Sequence, residues 1–155
     1  MRTHPAVTNA VALIVLSIAT CTCHAASPKA CDLLSAQAAA SLLPGTVGAP
    51  QDFGGILCVY MAKGGASAAS LSLTDAPAAA SINIYNAVKA SYGKSATESI
   101  PGLGEQNFLF VQPSNKNGLT VLYHQKIVVL NAQVPMTPTV KSALIQTMKQ
   151  ILPRL

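Results

Sequence analysis

Charged side chains are scarce in this sequence, making up 10% of 155 residues, with five acidic against ten basic. The basic ones are scattered, whereas a nucleic-acid footprint needs Lys and Arg gathered on one face. A nucleic-acid partner is therefore excluded, and the positive excess reads as solubility with mild attraction to an anionic envelope surface. Long hydrophobic runs are also missing. The apolar stretch Ala10 to Ala19 stops at Thr20, short of the roughly 20 residues a bilayer-spanning helix needs. Two glycine motifs are incomplete. Gly102-Leu103-Gly104 has no third glycine and leads into a strand signal, where a dinucleotide fingerprint requires a helix. Gly65-Ala66-Ser67-Ala68-Ala69 lacks the closing glycine of a nucleophile elbow.

What is present at the start has the three parts of a secretory signal: Arg2 as a positive flank, a short apolar run, and small residues leading to Ala25 and Ala26. Cleavage is expected after Ala25, so that residues 1–25 are the leader and residues 26–155 one exported domain, periplasmic or secreted. The alternative is a lipobox at Ile18-Ala19-Thr20-Cys21, with Cys21 lipidated; only then would the chain be held at a membrane. Removing the leader takes Cys21, Cys23 and His24 with it. Cys21-Thr22-Cys23-His24 has zinc- or copper-ligand chemistry but lies in the segment to be discarded, and His124 is then the one histidine left. No metal or cofactor is expected. Cys31 and Cys58 become the only cysteine pair, and an even count in an oxidising compartment implies a bridge, the alternative being two buried free thiols. A bridge would close a loop worth about 3 kcal/mol and tie the N-terminal helix region to the first strand.

About 130 residues suffice for one buried core. Ser35 is placed to cap a short helix to Leu43, ended by Pro44-Gly45, and residues 44–55 read as a surface loop. Ile56 to Ala62 is β-rich, and Ser70-Leu71-Ser72-Leu73-Thr74 alternates as a half-buried strand does. Asp75 is expected to cap a helix with Pro77 in its first turn, closing near Gly93. A tight glycine loop at 100–104 leads into Phe108 to Val111. Asn117-Gly118 is placed to supply positive φ to a hairpin, followed by strands Leu119 to Tyr123 and Ile127 to Val134. Thr137 as N-cap and Pro138 at the first helical position start a helix with Val140, Leu144, Met148 and Ile151 on one side. The expected fold is α+β: an antiparallel sheet of about five strands with about three helices packed on one face.

Ala30-Cys31-Asp32-Leu33-Leu34-Ser35, Cys58-Val59-Tyr60 and Ile100-Pro101-Gly102-Leu103-Gly104-Glu105 together resemble a group of small exported bacterial proteins, often lipoproteins, mostly of unknown function. Their pattern is a Cys-Asp-Leu-Leu-Thr helix start, a later Cys before an aromatic, and a Gly-Leu-Gly-Asp loop. This sequence departs at Glu105, where Asp is usual. The resemblance implies a structural disulfide and an envelope location, and carries no catalytic residues.

Candidate chemistry is sparse. Ser67, Asp75 and His124 fall in the chain order of a hydrolase triad, but His124 reads as a solvated turn residue. Glu98 and Glu105 flank the glycine loop and could form an acid and base pair, against the simpler reading of two surface carboxylates. Gly102, Gly104 and Glu105 remain a possible loop site. Tyr85, Lys89 and Tyr92 share a helical face by their spacing and, with Phe53, form a candidate contact surface, the alternative being tyrosines packed on the sheet. These features lead to a non-enzymatic exported protein that binds an envelope protein or cell-surface component. The alternatives are an inhibitor or immunity protein directed at a hydrolase, and a small carboxylate-dependent hydrolase.

Overall fold

A computed structural model describes residues 27–155. The leader, its cleavage site after Ala25 and the lipidation candidate Cys21 lie outside the described residues. Among the described residues the chain forms β1 (Gln51–Phe53), β2 (Leu57–Met61), β3 (Ala68–Asp75), β4 (Ala96–Glu98), β5 (Gln106–Phe110), β6 (Lys116–Tyr123) and β7 (Lys126–Gln133). The helices are α1 (Ala30–Leu33), α2 (Ala36–Leu42), α3 (Ser81–Tyr92) and α4 (Pro138–Ile151). The class is α+β, as expected, and the strands form one sheet in the order β1-β2-β3-β7-β6-β5-β4. Every neighbouring pair is antiparallel.

The expected counts need correcting. The sheet has seven strands rather than five, because two three-residue edge strands, β1 and β4, are too short to show the period of two that marks a strand in sequence. β1 falls inside the stretch read as a surface loop. There are four α-helices rather than three, the addition being the single turn α1. The helices also occupy both faces of the sheet. α1, α2 and α4 cover one face, where Leu33, Leu42, Leu144, Met148 and Ile151 pack on Cys58, Leu71, Leu109, Leu119, Val121, Val128 and Leu130. α3 covers part of the other, with Tyr85 among Phe108, Phe110, Leu122 and Ile127.

Side chains alternate between the faces of a strand, so burial patterns along the strands record this unequal cover. β5 and β6 bury nearly every residue and β7 its Ile127–Val128 pair and then every second residue, whereas β2 and β3 bury every second one at most. The alternation of Ser70 to Thr74 is therefore the signature of a strand covered on one side only. The two strand groups meet where β3 pairs with β7 along seven residue pairs.

Local signals explain the helix starts. The Ser35 hydroxyl accepts from Ala38 N at 3.1 Å and that of Thr137 from Val140 N at 3.2 Å, with Pro138 first in α4. Asp75 does not cap α3, contrary to expectation: it ends β3, its carboxylate is bonded to Lys126, and the turn at Pro77 precedes a helix that begins at Ser81 with no side-chain cap. Gly93, at φ 53°, ends α3 as expected. The Sγ atoms of Cys31 and Cys58 are at bonding distance, 2.07 Å, with Cα atoms 4.9 Å apart. The pair joins α1 to β2, the strand expected as the first and found as the second.

Candidate functional site

Register places one residue from every strand in a single row on the α3 face of the sheet: Gln51, Val59, Ser70, Asn131, Gly118, Phe110 and Ala96. α3 covers the β4 to β7 end of this row and leaves the β1 to β3 end bare. On the bare part Phe53 is 50% exposed and Met61 39%, beside the half-buried Leu57 and Val59. Where the cover begins, a groove of about 280 Å³ opens between the end of α3 and the sheet, lined by Ser70, Tyr92, Phe110, Gln112, Lys116, Asn131 and Gln133, with Ala68 and Ala132.

Each lining group has a local cause. Tyr92 lies on Phe110, ring centroids 4.3 Å apart and 30° between planes, so the last turn of α3 forms one wall. Burial raises its phenol pKa above the usual value. The floor depends on Gly118: a Cβ there would run into Leu130 O and lie 2.5 Å from Phe110 Cζ and 2.8 Å from Asn131 Oδ1. Its missing side chain lets the Phe110 ring and the Asn131 carboxamide close over the strand. Asn131 Nδ2 donates to Ser70 Oγ at 3.3 Å, which leaves Asn131 Oδ1 as an acceptor and the Ser70 hydroxyl as a donor. On the opposite face Asn117 is buried. Its Oδ1 accepts from Gln112 N at 3.1 Å and its Nδ2 donates to Val134 O at 2.6 Å, which fixes the two segments carrying Gln112 and Gln133 at the groove mouth.

Asn117-Gly118 is thus not the hairpin turn expected of it. Both residues are buried in β6, and the left-handed turn residue is Asn115, at φ 57°. A clasp and a floor, rather than a turn, are what this pair supplies.

The sequence candidates are dispersed. Of the contact surface, Phe53 is exposed on edge strand β1, Lys89 is exposed on α3, and Tyr92 is half-buried in the groove wall. Tyr85 does not belong to a surface: it is 1% exposed and packs edge-on to Phe108 at 5.7 Å. Burial pushes its phenol up to about 12. Gly102 and Gly104 both have positive φ, 77° and 58°. Gly104 also answers a close approach, since a Cβ there would meet Leu122 O and Val121 Cγ1 at 2.5 Å. Glu105 Oε1 accepts from His124 N at 3.0 Å, so this carboxylate is tied to the β6–β7 turn. Glu98 is bonded to Lys141 of α4. The two carboxylates face separate partners. Ser67 immediately precedes β3 and Asp75 ends it, roughly 25 Å apart at strand rise, so no triad assembles.

The groove residues Ser70, Gln112, Lys116, Asn131 and Gln133 were not candidates in the sequence. They come from three strands and a turn spread over more than sixty positions. The one available trace was Ser70 and Ser72 alternating with leucines, which marks a bare sheet face without marking a site.

No family model matches the chain, and no curated protein and no solved structure matches it either.

Proposed function

We propose that the chain is an exported, non-enzymatic binding protein that holds a component of the cell envelope against the bare half of its sheet, with the groove beside Tyr92 as the deepest part of the contact. The single observation that carries this reading is the unequal cover of the α3 face. Apolar side chains of β1 and β2 stand exposed there and run into a groove of convergent polar groups, the usual composition of a ligand site. The separation of Ser67 from Asp75 and of Glu98 from Glu105 supports binding over hydrolysis. His124 has Glu105 beside it, Nδ1 to Oε1 3.9 Å, but both side chains are exposed at a turn, and among the described residues Ser67 is not with them. Export rests on the signal-like segment 1–25, and the Cys31–Cys58 pair is compatible with an oxidising compartment.

Two measurements test it. Protein recovered from the envelope or medium should have the mass of residues 26–155, or of a lipidated chain starting at Cys21. Retention of the intact chain in the cytoplasm would overturn export. Phe53→Asp with Met61→Asp should abolish retention of the protein on isolated envelope material while leaving its far-UV spectrum and thermal midpoint near those of the parent. Unchanged retention would remove the bare face from the function.

A further inference from the structure

The groove carries a specific ligand chemistry. Gln112, Asn131 and Gln133 bring three carboxamides, Ser70 a hydroxyl and Lys116 an ammonium to one space, and no carboxylate lines it. Among the described residues the side chains of Gln112, Gln133 and Lys116 have no hydrogen-bond partner in the protein, and Asn131 uses one of its two amide hydrogens. A carboxamide offers a donor and an acceptor a short distance apart, which matches neighbouring hydroxyls on a sugar ring. The Tyr92 ring, already stacked on Phe110, supplies an apolar wall for the ring's C–H face. The volume of about 280 Å³ stands at the small end of ligand pockets and suits a single ring unit with its substituents.

A peptide is a poorer occupant. The floor belongs to β3, β7 and β6, interior strands whose ladder is satisfied on both sides, so no free main-chain edge is available for strand addition. Recognition falls to side-chain amides and the hydroxyl.

Charge then selects among sugars. Lys116 lines the groove. Lys94 follows Tyr92 in the 3-10 turn Gly93–Ser95, and Lys63 follows β2 at the same end of the sheet, beside the start of β3. The acids are elsewhere or engaged. Asp75 is bonded to Lys126 at the other end of β3, Glu98 is bonded to Lys141, and Glu105 binds the backbone of the β6–β7 turn. Asp52 accepts from Gly55 N on the far edge, and Asp32 sits in α1 on the opposite face. Three lysines at one end with no acid among them focus a positive potential on the groove mouth.

We propose that the groove binds the end of an acidic glycan, a hexuronate-type ring whose carboxylate meets Lys116 and whose hydroxyls meet Asn131, Ser70, Gln112 and Gln133. This rests on the binding-protein reading above and names the ligand class for its deepest part. The test is a titration of the purified chain, in the form the cell delivers, followed by calorimetry and by amide NMR. The probes are a trigalacturonate, the corresponding neutral galactose trimer, and triglutamate.

Saturable binding of trigalacturonate, with shifts centred on residues 110–118 and 129–133, is expected. The neutral trimer should bind at least ten-fold more weakly and triglutamate not measurably. Lys116→Met should reduce trigalacturonate to the level of the neutral trimer, and Asn131→Ala should weaken both sugars. Lys116 is exposed, so its variant folds whatever becomes of Asn131→Ala. Absence of saturable trigalacturonate binding overturns the proposal, as does equal binding of the neutral trimer or of triglutamate. If trigalacturonate fails while Phe53→Asp with Met61→Asp still abolishes envelope retention, the ligand class falls and the binding reading stands. If both fail, both readings fall.

Discussion

The Asn107 carboxamide grips the residue at the start of the glycine loop from both sides: its Oδ1 accepts from Ile100 N at 2.6 Å and its Nδ2 donates to Ile100 O at 2.9 Å. A third bond, Nδ2 to Leu103 O at 2.7 Å, closes the loop over β5. Asn107 is buried, so the loop owes its shape to a side chain from the strand that follows it. Asn107→Ala would leave these loop groups unpaired in a dry site, at a cost of about 1–3 kcal/mol for each group that water cannot reach. We expect a loss of about 2–4 kcal/mol in urea unfolding, with faster hydrogen exchange across 99–105. Asn107→Asp should cost a similar amount, because it replaces the NH₂ that serves two carbonyls with an acceptor. A loss of only a few tenths of a kcal/mol would mean that the loop holds itself.

The β6–β7 hairpin is made from unfavourable residues. Tyr123 pairs with Lys126 across a two-residue turn in which His124 and Gln125 have φ 45° and 64°. That is the left-handed geometry of a type I′ turn, for which Asn-Gly is the favoured pair. His124→Asn with Gln125→Gly should raise stability by about 1 kcal/mol, by relieving strain at two side chains that rarely adopt this conformation. A lowered unfolding midpoint would show that the Tyr123–His124 ring contact contributes more than the backbone strain removes.

The elements legible in the sequence were those with a local cause. Ser35, Thr137-Pro138 and Gly93 each act within a turn of themselves, and the alternation of Ser70 to Thr74 records burial on one face. Signals that failed were those needing a partner far along the chain. Asn117-Gly118 has turn chemistry, but tertiary packing overrides it: Phe110 and Asn131 require the absent Cβ, and Val134 requires the amide. Tyr85, Lys89 and Tyr92 fall on one helix, as expected, but not on one contact surface. Which of them faces the sheet was decided by Phe108 and Phe110, on strands that follow. The row Ser70, Asn131, Gly118, Phe110 exists only through register, and nothing in one strand announces its neighbours. β1 and β4 are invisible for a related reason, being edge pairs too short to show a period.

Tyr85 makes stability sensitive to base. Its hydroxyl is buried with no hydrogen-bond partner, as is that of Thr120, and burial holds its pKa near 12 against an ordinary value of 10.0. The folded state therefore keeps the proton after the unfolded chain has lost it. The contribution is whole below about pH 10 and is lost as pH rises from there through about 12. Burial also raises Tyr60 and Tyr92, so their contributions fall at alkaline pH as well. Tyr85→Phe should be neutral or slightly stabilising at pH 7, because it removes an unsatisfied polar group, and should lose less stability than the parent between pH 10 and 12. Parallel decline of the two proteins over that range would refute the assignment.

The cystine contributes mainly through the unfolded chain. Cys31 and Cys58 are 27 positions apart, and closing such a loop removes about 3–4 kcal/mol of denatured-state entropy. Other contacts dock α1 without it: Ala30 N donates to Gly55 O at 2.7 Å, and the Arg154 guanidinium donates to the carbonyls of Asp32 and Leu33. Breaking the bridge should therefore lower stability without dissolving the native arrangement. Cys31→Ala with Cys58→Ala is the suitable variant, since a serine at the fully buried position 58 would add an unpaired hydroxyl. We expect its thermal midpoint to fall by about 8–15 °C. Reductant should lower the parent by the same amount and leave the variant unchanged, and the core amides of β6 and β7 should keep their native NMR positions in both. A reductant effect persisting in the variant would show that the loss came from something other than the bridge. An undiminished midpoint would mean that the reduced loop is already held in the unfolded chain, so that the cystine adds no stability.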